Sequence, residues 1–322
     1  MNLMKVGRSV LAAVFPFALA CPALADVSGN VQAKYLVNDI DKISRDQPAG
    51  DDAVNKTKAE AFGYFTHSDF PGVYGGFYVA RETNYSQRFE AVGPNDFRNN
   101  VVDSRNTIQE IYFGKTFFGD FGELGAELML GQESQRDGLK YRPKVHGRYE
   151  FANGLSVNGY GMVLVQNYDG PSQSVAVDRE FLETELQPGV GYKINDHMGV
   201  FLNVRLRDRT QQRAMFGDLK EKERFVELGL WKNFGDLYTS LRVRTGRFEM
   251  WDTLDYQDAT RNSTIRQDKI HRLVGSISMP LTDKLRALVD VGYLWEKYDI
   301  ERAGAVSKLS APVFAVGLRY EL

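Results

Sequence analysis

The segment Met198–Arg209 (MGVFLNVRLRDR) restricts the possible fold more than any other stretch of the chain. Met198, Val200, Leu202, Val204 and Leu206 recur at a spacing of two, and Asn203, Arg205, Arg207 and Arg209 fill positions between them. That is the period of a β-strand with one apolar and one polar face. A soluble antiparallel sheet can also carry one wet face, but its strands usually run about five or six residues. A longer alternating run matches the roughly nine to eleven residues that a tilted strand needs to cross a bilayer. In that reading the apolar face meets lipid and the arginines face a lumen.

The N-terminus supports export. Lys5 and Arg8 precede an apolar run over Ser9–Ala20, and Ala23-Leu24-Ala25 stands just before Asp26. This is the layout of a secretory signal over residues 1–25, with residues 26–322 as the mature domain. The apolar run is too short for a membrane-spanning helix. Cleavage would remove Cys21, the only cysteine, and with it any disulfide or thiolate metal site. Lys+Arg would fall from 40 to 38 against 42 acidic residues, a net charge of −4. Nucleic acid, which selects a basic footprint, is therefore not an expected partner.

The alternation recurs along the chain. Strands are expected near Val31–Val37, Lys58–Thr66, Val73–Glu82, Asn106–Thr116, Leu124–Gly131, Tyr141–Phe151 and Leu155–Gln166. They continue at Leu182–Lys193, Met198–Arg209, Arg224–Lys232, Leu237–Thr245, Ile270–Met279, Leu285–Trp295 and the C-terminal Phe314–Leu322. In Asn106–Thr116 the facing is ambiguous, because Ile108 and Ile111 differ in parity. Tight turns are read at His67–Gly72, Phe118–Gly122, Phe151–Gly154, Asn195-Asp196, Asn233–Asp236 and Leu281–Lys284, the third as an Asn-Gly hairpin. Between them lie longer connections at Asn38–Asn55, Thr83–Ser104, Asn167–Asp178, Gln211–Glu221 and Gly246–Gln267, and a short loop near Asp137-Gly138.

Connections that alternate short and long, on about 14 strands, point to a transmembrane antiparallel up-and-down β-barrel with short periplasmic turns and long extracellular loops. Tyr149, Phe151, Phe234, Tyr293, Trp295 and Tyr320 stand at strand ends, where such barrels carry aromatic girdles. Fourteen strands about 4.8 Å apart at a tilt of about 40° give a backbone cylinder roughly 28 Å wide, which side chains narrow to about 10–15 Å.

Parity places Arg142, Lys144, Arg148, Arg205, Arg207, Arg209, Arg242, Arg244, Arg272 and Arg286 toward the lumen, with Glu127, Glu183, Glu185, Asp290 and Glu296 among the opposing charges. So many charges in a dry core would be costly, so the lumen is expected to be wet. Catalytic motifs are not evident: His67, His146, His197 and His271 are scattered, and no nucleophile elbow or phosphate loop occurs. Neither a metal nor a cofactor is expected.

Several phrases resemble the outer-membrane porin G family, with the cyclodextrin porins as near relatives: Gly292–Asp299 (GYLWEKYD), Val316–Leu322 (VGLRYEL) and Phe151–Val157 (FANGLSV). The terminal strand ends in Leu322 where outer-membrane proteins usually end in Phe. The resemblance implies a monomeric, weakly selective channel in the bacterial outer membrane, surrounded by lipid and passing ions and oligosaccharides. It also implies closure by the sixth extracellular loop, aided by a histidine pair. Gly246–Gln267 occupies that place, but only His271 lies nearby, so the acid gate is not carried over. Passive diffusion of hydrophilic solutes is the expected function. A preference for anionic uronate oligosaccharides and a barrel enzyme acting on lipid or peptide are the alternatives.

Overall fold

A computed structural model describes residues 27–45, 52–93, 96–134, 136–169, 178–212, 218–252, 263–300 and 305–322. The expected signal segment lies outside the described residues. Fourteen strands follow in chain order: β1 (Val27–Arg45), β2 (Asp52–His67), β3 (Val73–Gly93), β4 (Asp96–Gly119), β5 (Gly122–Glu133), β6 (Arg136–Glu150) and β7 (Leu155–Asp169), then β8 (Asp178–Asn195), β9 (Met198–Gln211), β10 (Leu219–Phe234), β11 (Leu237–Asp252), β12 (Ser263–Pro280), β13 (Leu285–Ile300) and β14 (Ala305–Glu321).

Each strand pairs antiparallel with its sequence neighbours, and β1 pairs with β14 from Asn30↔Glu321 to Asn38↔Val313 to close the barrel. Closure removes the sheet edges that would otherwise present unpaired N–H and C=O groups. Because cross-strand partners share a face, the register transmits one strand's facing to the next. Glu185↔Arg207 and Arg207↔Glu223 place three charged residues inward on β8, β9 and β10, while Leu202↔Leu228 and Leu228↔Val243 place apolar residues outward.

Burial is the reverse of a soluble domain. Leu228 and Val145 on the outer face are 56% and 60% exposed, whereas Glu185 and Glu223 on the inner face are 4% and 8% exposed. An apolar outer surface of this extent needs lipid around it, since soluble monomers rarely expose large apolar patches. Tyr149 and Phe151 meet edge to face at 4.7 Å, and Tyr293 and Trp295 pack at 4.8 Å, with all four rings exposed on the outside.

Three details differ from the sequence reading. The longer connections begin as strand: β3 and β4 stay in register from Thr83↔Arg105 to Ala91↔Phe97, and β1 and β2 stay paired to Ile40↔Val54. Above the lipid both faces of such a ribbon can be wet, so the apolar alternation that marks a strand lapses while the pairing continues. The connection read near Asp137-Gly138 falls instead between Glu133 and Arg136. The Phe151–Gly154 turn is not of the two-residue Asn-Gly type, which needs two positive φ angles; only Gly154 has one, at 84°. Gly154 N–H donates to the Phe151 carbonyl at 3.1 Å and the Asn153 side chain accepts from Leu155 N–H at 3.1 Å. The ambiguity in β4 is resolved by Phe77↔Ile111 and Ala80↔Ile108, which turn Ile111 outward and Ile108 inward.

An outward Leu228→Arg substitution, near the middle of the apolar band, is expected to destabilise the barrel by about 2–4 kcal/mol. An inward Ser240→Arg substitution is expected to cost far less. Urea-titrated refolding into liposomes checks the difference, and equal losses would contradict the assigned faces.

Candidate functional site: the charged inner wall

On the inner wall, rows of charge are set by register. Arg209 lies between Glu183 on β8 and Glu221 on β10, at 2.5 and 3.2 Å. One layer down, Arg207 is bound to Glu223, and Arg205 reaches Glu185 at 2.7 Å. Tyr160 on β7 donates its hydroxyl to the same Glu185. Arg207 and Arg209 are thus flanked by carboxylates of both neighbouring strands, and opposite charges at directly facing positions stabilise the sheet.

A second group forms on the other side. Glu127 on β5 receives Arg142 at 3.5 Å, Lys144 at 3.6 Å and the Tyr74 hydroxyl at 3.3 Å. Lys140 binds Glu110 at 2.5 Å with both side chains largely buried. At the short-turn end Glu150 joins Arg148 at 3.0 Å and Lys193 at 2.6 Å in solvent. Exposed pairs of this last kind contribute little to stability.

Compensation thins out on β11 to β13. Arg244 donates twice to Glu227, at 2.8 and 3.1 Å. Arg242 reaches only the Ser276 hydroxyl, at 3.3 Å, among the described residues. Arg272, directly across from Arg244 in the register, forms no ion pair with a described residue, and the Nε atoms of Arg242 and Arg272 are buried without an acceptor. Asp290 is held by Lys34 at 3.0 Å. Arg286 donates to the Ser278 hydroxyl at 2.8 Å and to the Asp236 carbonyl at 2.6 Å. Glu296 sits on the inner face opposite Ile270. Arg242, Arg286, Asp290, Glu227 and Asn203 line part of a cavity of about 600 Å³.

A model of the OMPG-porin 1 family matches residues 25–322, nearly the whole chain. The chain belongs to this porin family. No curated protein matches its sequence. Among solved structures, OmpT, an outer membrane protein of Vibrio cholerae, is 12% identical at a TM-score of 0.44, covering 92% of this chain and 97% of its own. The COG4313 outer membrane channel from Pseudomonas putida F1 is 9% identical at a TM-score of 0.41, covering 94% and 99%. A KdgM porin in complex with disordered oligogalacturonate is 11% identical at 0.33, covering 67% and 94%. The porin is an outer-membrane protein of bacteria.

Sequence reading of the porin missed the acidic residues of β10. Glu221, Glu223 and Glu227 partner Arg209, Arg207 and Arg244. Their signal was available, since they alternate with Val226, Leu228 and Leu230 at opposite parity. Lys34 and Lys140 were missed for the same reason. The recurrence of arginine therefore does not make a uniformly positive wall: most of these arginines share their layer with a carboxylate, and those without an ion pair to a described residue are Arg242, Arg272 and Arg286.

Glycines keep part of the wall flat. A Cβ on Gly229 would strike the Phe201 ring across the strand pair, and one on Gly199 would strike the Trp231 indole. The rings lie over the glycines along the wall instead of projecting toward the axis. Gly229→Val is expected to push Phe201 inward and lower single-channel conductance, whereas Leu228→Val beside it should leave conductance unchanged. Glu223→Gln should cost about 1–3 kcal/mol by removing the carboxylate bound to the largely buried Arg207. The double variant Glu223→Gln/Arg207→Gln should recover part of that loss in urea-titrated refolding; strict additivity would contradict the pairing.

Proposed function

We propose that the porin carries hydrophilic solutes of oligosaccharide size, and ions, by passive diffusion through a water-filled lumen. The observation that carries this reading is the inner wall itself, on which charged and hydroxyl-bearing side chains recur around the barrel while the apolar residues turn outward. Partly solvated ion pairs hold their charges in place without the cost of drying them. The residues proposed to line the passage are Arg142, Lys144, Arg148, Arg205, Arg207, Arg209, Arg242, Arg244, Arg272, Arg286, Glu127, Glu183, Glu185, Asp290 and Glu296. Membership of a porin family supports a channel over an enzyme. Closure of the barrel by one chain's own β1 and β14 supports action as a monomer, and the start of the family match at residue 25 supports removal of the preceding export signal.

A preference for anionic sugars such as uronate oligomers is a second reading, favoured by one local feature. Arg242, Arg244 and Arg272 occupy adjoining inner positions on β11 and β12, and Glu227 is the carboxylate that binds within this group. A solute carboxylate would meet guanidinium groups able to offer paired N–H donors there.

Planar-bilayer recordings of refolded protein should show open-channel conductance, and its absence would overturn the porin reading. Liposome swelling with neutral, acidic and basic sugars separates the two readings. If anionic sugars are preferred, Arg242→Gln/Arg272→Gln should abolish the preference while neutral sugars pass as before. An unchanged preference would remove these arginines from the account.

A further inference from the structure

The outer face carries a row of cations that the solute pathway does not use. Register places Arg224 on β10 opposite Arg247 on β11, Arg247 opposite Lys269 on β12, and Lys269 opposite Lys297 on β13. The next position along the row, on β14, is Lys308. Arg224, Arg247, Lys269 and Lys297 share the face of Leu228, Val243, Ile277 and Val291, which points away from the lumen. Arg247, Lys269 and Lys297 are exposed.

Such a row has a cost. Like charges directly opposite one another on neighbouring strands destabilise a sheet. On the inner face of β8 to β10 that cost is avoided by interleaved carboxylates. Outside, Arg224 has Asp208 at 2.7 Å, but Arg247, Lys269 and Lys297 make no ion pair with a described residue. Glu249 and Asp299 stand one outward layer further from the short turns, at the register positions facing Gln267.

The height of the row identifies what it meets. It lies roughly ten residues along each strand from the short turns, which at about 3.3 Å per residue and a tilt of about 40° is about 25 Å, the height of an outer-membrane apolar band. Tyr293 and Trp295 lie just below Lys297 on the same face, as girdle aromatics do at a membrane interface. At a similar height, the outward positions of β4 to β8 are Gln109, Gln132, Tyr141, Val165 and Thr184, none of them cationic. Single outward cations stand elsewhere, as at Arg81 on β3 and Arg105 on β4, but the row of cations facing one another across neighbouring strands is on β10 to β13, at headgroup level.

We propose that the outer face of β10 to β13 binds a phosphorylated lipid headgroup of the surrounding leaflet, with Arg247, Lys269 and Lys297 as its principal contacts and Arg224 at the edge. Phosphate oxygens would sit between neighbouring cations and relieve their repulsion. Clusters of Lys and Arg at a membrane surface recognise anionic headgroups in this way.

The test uses the full-length porin in nanodiscs of zwitterionic phospholipid, titrated with a diphosphorylated glycolipid or its enzymatically dephosphorylated counterpart, with bound lipid counted by native mass spectrometry. Wild type should bind the phosphorylated form about a hundredfold more tightly. Arg247→Gln/Lys269→Gln/Lys297→Gln should lose that difference at unchanged conductance, and Arg81→Gln, an outward cation on β3, should keep it. Equal binding of the two lipids by wild type, or a preference retained in the triple variant, would overturn the proposal. So would displacement of the lipid by inorganic phosphate at equal concentration, which would mark a free-anion site. If the triple variant does not fold, the wild-type comparison and Lys269→Gln alone decide.

Discussion

Everything in this fold depends on satisfying backbone hydrogen bonds where no water is present. In hydrocarbon each unpaired N–H or C=O costs several kcal/mol, so a spanning sheet has to close on itself. The porin closes by pairing its first and last strands, Val31 with Tyr320 and Tyr35 with Val316. Once closed, the pleat leaves two environments on alternate residues. The sequence satisfies both by placing Leu, Val and Phe on one parity and Arg, Lys, Glu and Tyr on the other.

Register then decides the electrostatics. A charge on one strand is brought against whatever its two neighbours carry at the same height. On β8, β9 and β10 this yields Glu183, Arg209 and Glu221 in one layer and Glu185, Arg207 and Glu223 in the next. The inner wall is thereby ordered by short pairs between strands instead of by a packed core. Where the same register sets cation beside cation, as at Arg244 and Arg272 inside or Arg247 and Lys269 outside, the sheet is left with charge that an external anion can answer. The two places differ in what lies near them: water and passing solute at the first, the lipid interface at the second.

Much of the fold was legible because the membrane imposes its period so strictly. Met198–Arg209 alone defined two faces, and the alternation of connection lengths gave the topology. The ends of the strands were not legible, since Thr83–Gly93 and Asp96–Arg105 lie in a paired ribbon whose residues carry no apolar period. Residues on β9 and β11 could be assigned to the inner wall individually, but their partners could not. Pairing Arg207 with Glu223 or Arg244 with Glu227 requires the register between strands, which depends on turn geometry and on bulges such as that between Lys193 and Asn195. For that reason an arginine-rich inner face could be read from the chain while its charge balance could not.

The central claim is that one face of each strand touches lipid while the other touches water along the same stretch of chain. Single cysteines placed in turn from Leu202 to Arg209, spin-labelled in lipid bilayers, test it through collision with oxygen and with a water-soluble nickel chelate. Oxygen should dominate at Leu202, Val204 and Leu206, and nickel at Asn203, Arg205 and Arg207, alternating residue by residue. A uniform profile along this strand, or one with the two parities exchanged, would contradict the account.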